Sequence, residues 1–308
     1  MTTDQPTAAP TALVFPGMAP TRFADVGEFL LFDPYGRRRR QEADRALGHS
    51  VLDEYRTCAE DYGAAAQVAY LTVCLALADR AEAELGVAPE LCAGPSFGQR
   101  AAAAYAGSLP FADAVRLTAE LARCEEEYFA TEHRDMVTLT FLRTPEEKLR
   151  ELLAELDELG EPHGISGHLD EGFHLLTLRE PALDRFRSRV SELGGYSLYT
   201  MRPPVHAPAF GELRRRAEEQ VFARYTVEAP RLPVVADQDG SIVTTAEAMR
   251  TMLLDTFDRP IHWPKMVTTL HEHGIRRLCL AGPENLFARL DCTREGFELL
   301  NVTPKSAI

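Results

Sequence analysis

The chain predicts an α/β fold, a mostly parallel sheet wrapped by helices and interrupted by one small inserted domain. Two observations carry that prediction. Short apolar runs alternate with stretches of helical periodicity at both ends of the chain, the pattern of strands joined by crossover helices. After Ala130 the texture changes to period-two alternation, helix and further strands, which is the pattern of a compact ferredoxin-like unit of about 70 residues.

In order, Ala12-Leu13-Val14-Phe15 is a buried-strand run stopped by Pro16-Gly17. Charge-rich helical sequence extends through Arg56. Gly63 precedes a long apolar-periodic helix over residues 64–85, with Gly86 as its stop. Residues 90–93 form the next strand, and helices over 101–105 and 111–129 are separated by Gly107-Ser108-Leu109-Pro110. In the inserted block, residues 136–141 alternate as a strand, and Thr144 with Glu147 reads as a capping box opening a helix to Leu159. A strand over 173–178, a helix over 181–193 and a strand over 196–201 complete a β-α-β-α-β unit. Helix (209–224), strand (234–236), helices (245–254 and 264–272) and strand (277–280) follow. The expected division is a large domain of residues 1–130 and 202–308 around a small domain of residues 131–201.

Hydrophobic residues make up 45% and charged residues 26%, the balance of a globular protein with a substantial core. The longest apolar run, Val68 to Ala78, stops at Asp79-Arg80, short of a membrane span. Met1 to Pro6 lacks the basic and apolar regions of a signal peptide and reads as a short disordered lead-in. Cys58, Cys74, Cys92, Cys124, Cys279 and Cys292 sit singly, without a C-x-x-C pair, and read as reduced thiols of a cytoplasmic protein with no metal site. A net charge of −14 argues against nucleic acid as a partner. The basic clusters at Arg37 to Arg40, Arg214 to Arg216 and Arg276-Arg277 read as solvated helix faces.

Gly94-Pro95-Ser96-Phe97-Gly98 lies between a predicted strand and an Ala-rich helical pattern. A strained strand-to-helix turn lifts a serine hydroxyl clear of the sheet and makes it a candidate nucleophile, as in folds of the α/β-hydrolase type. Side chains at the flanking glycines would crowd the neighbouring strand and helix. An ordinary tight turn with an exposed serine is the competing reading.

A nucleophilic serine needs a base. His133, His163, His168, His271 and His273 lie in polar stretches and read as surface; His49, His174 and His262 have no distinguishing context. His206 lies in the stiff loop Pro203-Pro204-Val205-His206-Ala207-Pro208, where prolines hold geometry fixed. On the residues alone it reads more readily as a structural loop histidine than as the base.

These motifs together resemble the malonyl-CoA:acyl-carrier-protein acyltransferases and their polyketide-synthase relatives along essentially the whole chain. Val14-Phe15-Pro16-Gly17 matches the start of their Phe-Pro-Gly-Gln-Gly motif, and Gly94 to Gln99 matches their Gly-His-Ser-x-Gly-Glu motif. Residues 107–117 match the segment after it, and His206, 110 residues beyond Ser96, falls where the family's histidine lies. Arg259-Pro260-Ile261-His262-Trp263 and Ala281-Gly282-Pro283 match two C-terminal signatures.

The resemblance implies that His206 deprotonates Ser96, that Ser96 carries an acyl group as an ester, and that a phosphopantetheine thiol removes it. It implies an oxyanion hole from the backbone N–H groups of Met18 and Phe97, and a main-chain carbonyl, matched to His262, that orients His206. No cofactor stays bound; substrates arrive on the phosphopantetheine of an acyl carrier protein or on CoA.

The sequence departs from the family at the acyl pocket. Malonyl enzymes grip the substrate carboxylate with an Arg about 25 residues after the serine; Leu121 stands there, and an arginine restored at 121 should restore malonyl binding. Arg123 is turned about 200° away on the helix. Pro95 replaces the family's His, Asp170 to His174 replaces a pocket-lining loop and brings Glu171 and His174, and Val205 precedes His206 where malonyl-selective relatives have Phe or Ser. These changes imply a neutral acyl group.

The pattern is similar to discrete acyltransferases of macrolactam polyketide pathways, which pass aminoacyl or dipeptidyl groups between donor and acceptor carrier proteins. Arg143 and Arg289 are the residues expected to grip an acidic carrier, with neither nucleic acid nor membrane as partner and a monomer as the expected state. Ordinary malonyl transfer, an editing hydrolase of the same fold and a non-catalytic docking module are the rival functions.

Overall fold

The computed structural model describes residues 9–58, 60–283 and 286–307, so the expected lead-in at Met1 to Pro6 lies outside the described residues. The large lobe begins with β1 (Thr11–Val14), which leads to α1 (Phe23–Phe32), α2 (Pro34–Leu47), α3 (Val51–Thr57) and α4 (Ala64–Leu85). Local sequence explains each boundary. Asp33 caps α2 by accepting from the N–H groups of Tyr35 and Gly36, Pro34 occupies the first turn, and Gly48 ends the helix in the left-handed conformation. From Ala66 to Ala78, α4 is buried on every side, and Gly86, also left-handed, stops it. β2 (Leu91–Ala93), α5 (Gly98–Tyr105) and α6 (Phe111–Thr131) follow.

The small lobe runs β3 (Met136–Leu142), α7 (Glu146–Glu158), β4 (His163–Asp170), β5 (Phe173–Arg179), α8 (Glu180–Glu192) and β6 (Tyr196–Met201). It has one strand more than the sequence predicts. Gly164, Gly167 and two histidines erase the alternation of β4, yet β4 pairs antiparallel with β5 from His163 to Asp170. The spatial order β6-β3-β5-β4 is that of the ferredoxin-like βαββαβ unit. The Thr144 capping box does not form: Pro145 takes the cap position, while Thr144 donates its N–H to the Gly172 carbonyl.

The chain re-enters the large lobe through the helical stretch expected over 209–224, built from a 3-10 turn at Pro208–Phe210, α9 (Gly211–Arg216), a π-helical turn at Ala217–Val221 and a 3-10 turn at Phe222–Arg224. The remaining elements are β7 (Val234–Val235), β8 (Ile242–Val243), α10 (Ala246–Asp255), β9 (Ile261–His262), α11 (Trp263–Glu272), β10 (Arg277–Ala281), α12 (Leu286–Arg289), α13 (Asp291–Arg294) and β11 (Glu298–Val302). The large sheet has the order β11-β10-β1-β2-β7-β8 and is parallel except for the β7–β8 hairpin. Apolar side chains cover both of its faces, as a parallel sheet requires. A two-residue parallel pairing, Gly167 to Ile261 and His168 to His262, splices β9 onto the free edge of β4.

Four cysteines are buried and two half-buried, all unpaired. No helix among the described residues is long and apolar enough to cross a membrane.

Candidate active site

β2 at the centre of the large sheet delivers the chain to Ser96 at its C-terminal edge, where open α/β sheets collect their ligand sites. Ser96 has a φ of 55°, strained for a residue with a side chain, and α5 starts two residues later. The glycines are needed for close approach. A Cβ on Gly94 would lie 2.2 Å from the Gly98 carbonyl oxygen, and one on Gly98 would lie 2.1 Å from that of Phe15.

Ser96 Oγ lies 2.8 Å from His206 Nε2. His206 is also held at positive φ, 56°, and its ring is 4% exposed. Its Nδ1 lies 2.5 Å from the main-chain oxygen of Thr256, so that Nδ1 carries the proton and Nε2 is left to accept one from Ser96. The orienting carbonyl is therefore that of Thr256, at the end of α10, and not that of His262. The His262 side chain instead caps α11 by accepting from Lys265 N–H, and its own N–H donates to the Asp237 carbonyl. Burial pushes the His206 imidazole down to about 4, the Thr256 carbonyl opposes that, and the Arg100 charge adds to it. The ring is thus neutral at pH 7.

The loop that carries His206 is fixed by the small lobe. Thr138 on β3 and Thr177 on β5 face one another at 2.6 Å, and Ser166 on β4 joins Thr177 at 2.6 Å. Thr138 Oγ1 accepts the Val205 N–H at 3.1 Å, and Thr177 donates to the Val205 carbonyl at 3.3 Å. Three buried hydroxyls of the small sheet thus form one network, and two of them hold the residue before His206.

Asp237, just after β7, was not anticipated. Its carboxylate accepts the Ser96 N–H at 2.5 Å and the Gln99 side-chain amide. Burial pushes its pKa up to about 7 against these hydrogen bonds. Gln99 follows from the nucleophile motif itself; its buried partner lies 138 residues further on, beyond any local sequence pattern.

Ser96 and His206 open into one cavity. Met18, Phe129, Phe210, Phe222, Leu253 and Phe257 supply apolar wall, and Tyr62, Gln67, Arg100 and Glu125 supply polar groups. Met18 and Phe97 both line it, and among the described residues neither main-chain N–H has an acceptor, as an oxyanion site requires.

Of the five residues expected to shape the acyl pocket, only Val205 lines this cavity. Leu121 is 1% exposed within the helical core and is not among the residues that line the cavity, although it lies one turn before Glu125 on the same side of α6, and Arg123 is exposed on the other side. Pro95 is buried beneath the turn. Glu171 and His174 lie elsewhere because the β4–β5 turn is tied to the large lobe, where Asp170 accepts the N–H of Asp291 at 2.6 Å. They line a separate groove between the lobes, together with Arg143, Lys148, His168, His262 and Arg289. His168, expected at the surface, instead packs between His174, which it meets edge-on, and His262 in that groove. Arg100 and Glu125 are the pocket residues that the sequence reading missed. Arg100 stands one helical turn beyond Ser96, and that spacing was the available signal.

Residues 140–201 match the family described as VinK acyltransferase small domain. Over 287 residues, 91% of both chains, the sequence is 25% identical to the malonyl CoA-acyl carrier protein transacylase of Escherichia coli K12. The fold is similar to that of the malonyl CoA-acyl carrier protein transacylase of Coxiella burnetii, with a TM-score of 0.85 and 23% identity over 97% of this chain and 96% of that one. It is also similar to a malonyl-transacylase solved in complex with its type II polyketide synthase acyl-carrier protein, with a TM-score of 0.86 and 21% identity over 97% of both. With this fold, these relatives and a serine hydrogen-bonded to a buried histidine, the chain is an acyltransferase similar to the malonyl CoA-acyl carrier protein transacylases.

Proposed function

We propose that the protein moves an acyl group other than malonyl between phosphopantetheine thioesters in polyketide assembly, with Ser96 as nucleophile and His206 as acid and base in turn. The 2.8 Å contact between Ser96 Oγ and His206 Nε2, at the end of a largely apolar cavity, carries the reading. His206 Nε2 takes the Ser96 proton as Oγ attacks the thioester carbonyl, and the N–H groups of Met18 and Phe97 stabilise the oxyanion. The C–S bond breaks and the departing sulfur leaves with the proton from His206. A second phosphopantetheine thiol gives its proton to His206 and attacks the ester, and Ser96 Oγ takes that proton as it leaves.

The donor and acceptor are acyl carrier proteins, held by Arg143 and Arg289 in the groove between the lobes. Two observations support this. Both arginines line that groove with Lys148, and a solved relative is a complex with its acyl-carrier protein. An aminoacyl or dipeptidyl cargo of the macrolactam type is the reading that the sequence resemblance implies, and the match of residues 140–201 to the VinK acyltransferase small domain supports the acyltransferase part of it. The thiol chemistry and the unpaired cysteines fit the cytoplasm.

Intact-mass measurement after exposure to a panel of acyl thioesters tests the reading. A mass increment equal to the acyl group, absent in Ser96→Ala, is expected; labelling that survives that substitution sinks it. Editing hydrolysis is the second reading, because the same Ser96 ester can yield to water. Free acid formed equally fast with and without an acceptor carrier would favour it over transfer.

A further inference from the structure

We infer that Glu125 sets the acyl specificity of the Ser96 cavity by holding the Arg100 guanidinium closed against acyl groups that end in a carboxylate. The inference rests on the acyl-transfer reading and adds to it the residue that excludes one class of substrate.

Arg100 is 7% exposed, lies on α5 one turn beyond Ser96, and lines the same cavity as Ser96 and His206. A buried guanidinium beside the acylation site is the group that a carboxylate-tailed acyl thioester needs, because its planar fork can bind both carboxylate oxygens. In this chain the fork is already occupied. Nη2 donates to Glu125 Oε1 at 3.0 Å, and Nη1 donates to Gln67 Oε1 at 2.6 Å. Gln67 Nε2 donates in turn to Glu125 Oε2 at 3.2 Å, which closes a ring of three side chains. Tyr62 completes it, its carbonyl taking the second Gln67 amide hydrogen at 2.9 Å.

The Arg100 and Glu125 side chains are 9% and 17% exposed, so the pair meets little solvent screening. An incoming carboxylate meets Glu125 as a like charge. It gains the fork only by displacing Glu125 from it. An uncharged acyl group meets a wall whose charges are already balanced. Charge is thus present in the cavity and already neutralised, which is a different device from the simple loss of a clamp at position 121.

The test compares Ser96 labelling by malonyl-CoA and by its isosteric amide, malonamyl-CoA, followed by intact mass. The wild-type protein is expected to label with the amide at least tenfold faster. Glu125→Gln keeps the shape and drops the charge, and should raise the malonyl-to-malonamyl ratio at least tenfold. Arg100→Gln added to Glu125→Gln should abolish that gain. Glu126→Gln, on an exposed neighbour outside the cavity, should leave the ratio at the wild-type value. Equal wild-type rates with the two thioesters overturn the inference without any variant. So does an unchanged ratio in Glu125→Gln, or a gain that survives the loss of Arg100. Failure of the acyl-transfer reading has its own signature: no acyl mass on Ser96 from either thioester or any other in the panel, which removes this inference with it.

Discussion

The main-chain N–H of Ser96 donates to Asp237 Oδ2 at 2.5 Å, so the nucleophile turn hangs from a carboxylate that is 1% exposed. Asp237→Ala would leave that N–H and the Gln99 amide without partners in a buried site, at a cost of about 1–3 kcal/mol each. Asp237→Asn offers an escape, because Gln99 Oε1 is buried without a partner and the amide can turn to accept from Asn. The alanine variant should therefore show a lowered Tm and slow Ser96 labelling, and the asparagine variant should recover most of both. Equal damage in the two would refute the account.

The pH dependence follows from His206. A base must be neutral to accept the Ser96 proton, and burial keeps this ring neutral down to about pH 4. The acylation rate should stay level from pH 7 to 5 and fall by half near pH 4, whereas an ordinary exposed histidine would lose half its rate near about 6.5. Asp237 titrates near 7, so the profile is best read in Asp237→Asn. A half-point near 6.5 in rapid-quench labelling would contradict the buried-base geometry.

Thr177 joins Ser166, Thr138 and the Val205 carbonyl in one network. Thr177→Val keeps the volume and removes the donor, and should cost about 1–2 kcal/mol in chemical denaturation while slowing Ser96 labelling. Thr177→Ser should restore the labelling rate. A valine variant that is destabilised yet labels at the wild-type rate would mean that the hydroxyls serve the sheet alone.

Leu121→Arg should not create a malonyl clamp. The side chain is in the core and is not among the residues that line the cavity, so a charge buried there should cost roughly 3–5 kcal/mol. A lowered Tm without improved malonyl labelling is the expected outcome; efficient malonyl labelling by a stable variant would contradict this packing.

Charge reversal at Arg143 or Arg289 should raise the KM for a carrier-bound acyl group by about tenfold, roughly 1.4 kcal/mol, and should raise that for the CoA thioester less. Steady-state transfer assays with both donors read the difference. Equal increases would remove these residues from carrier recognition.

Much of the site was legible because its chemistry demands particular side chains at particular turns. Gly94, Ser96 and Gly98 carry the strained turn in three letters, and His206 stands out among its prolines. Thr256 was not legible, because a carbonyl is common to every residue and leaves no mark; the matched His262 lies on the next strand. Asp237 and Glu125 act through long-range pairs with Ser96 and Arg100, which no local period encodes. β4 was hidden because its glycines sit where the sheet meets the large lobe. A Cβ on Gly167 would meet that of Ile261 at an ordinary contact distance of 3.5 Å, so sterics do not demand the glycine that hides this strand. The resemblance placed the acyl pocket by residue count from Ser96, whereas the residues of α6 that line it, Glu125 and Phe129, lie one and two turns beyond the counted Leu121.

The two-residue splice between β4 and β9 has a mechanical consequence. β9 donates the His262 N–H to the Asp237 carbonyl, and Asp237 suspends Ser96. The same small sheet grips Val205 and so steers His206. Both reacting atoms are therefore clamped to one jig. Swinging the lobes apart would have to break the splice and pull the serine and histidine out of register. Room for cargo must come from side chains such as Phe129 and Phe222 yielding in place, while the frame around them stays shut.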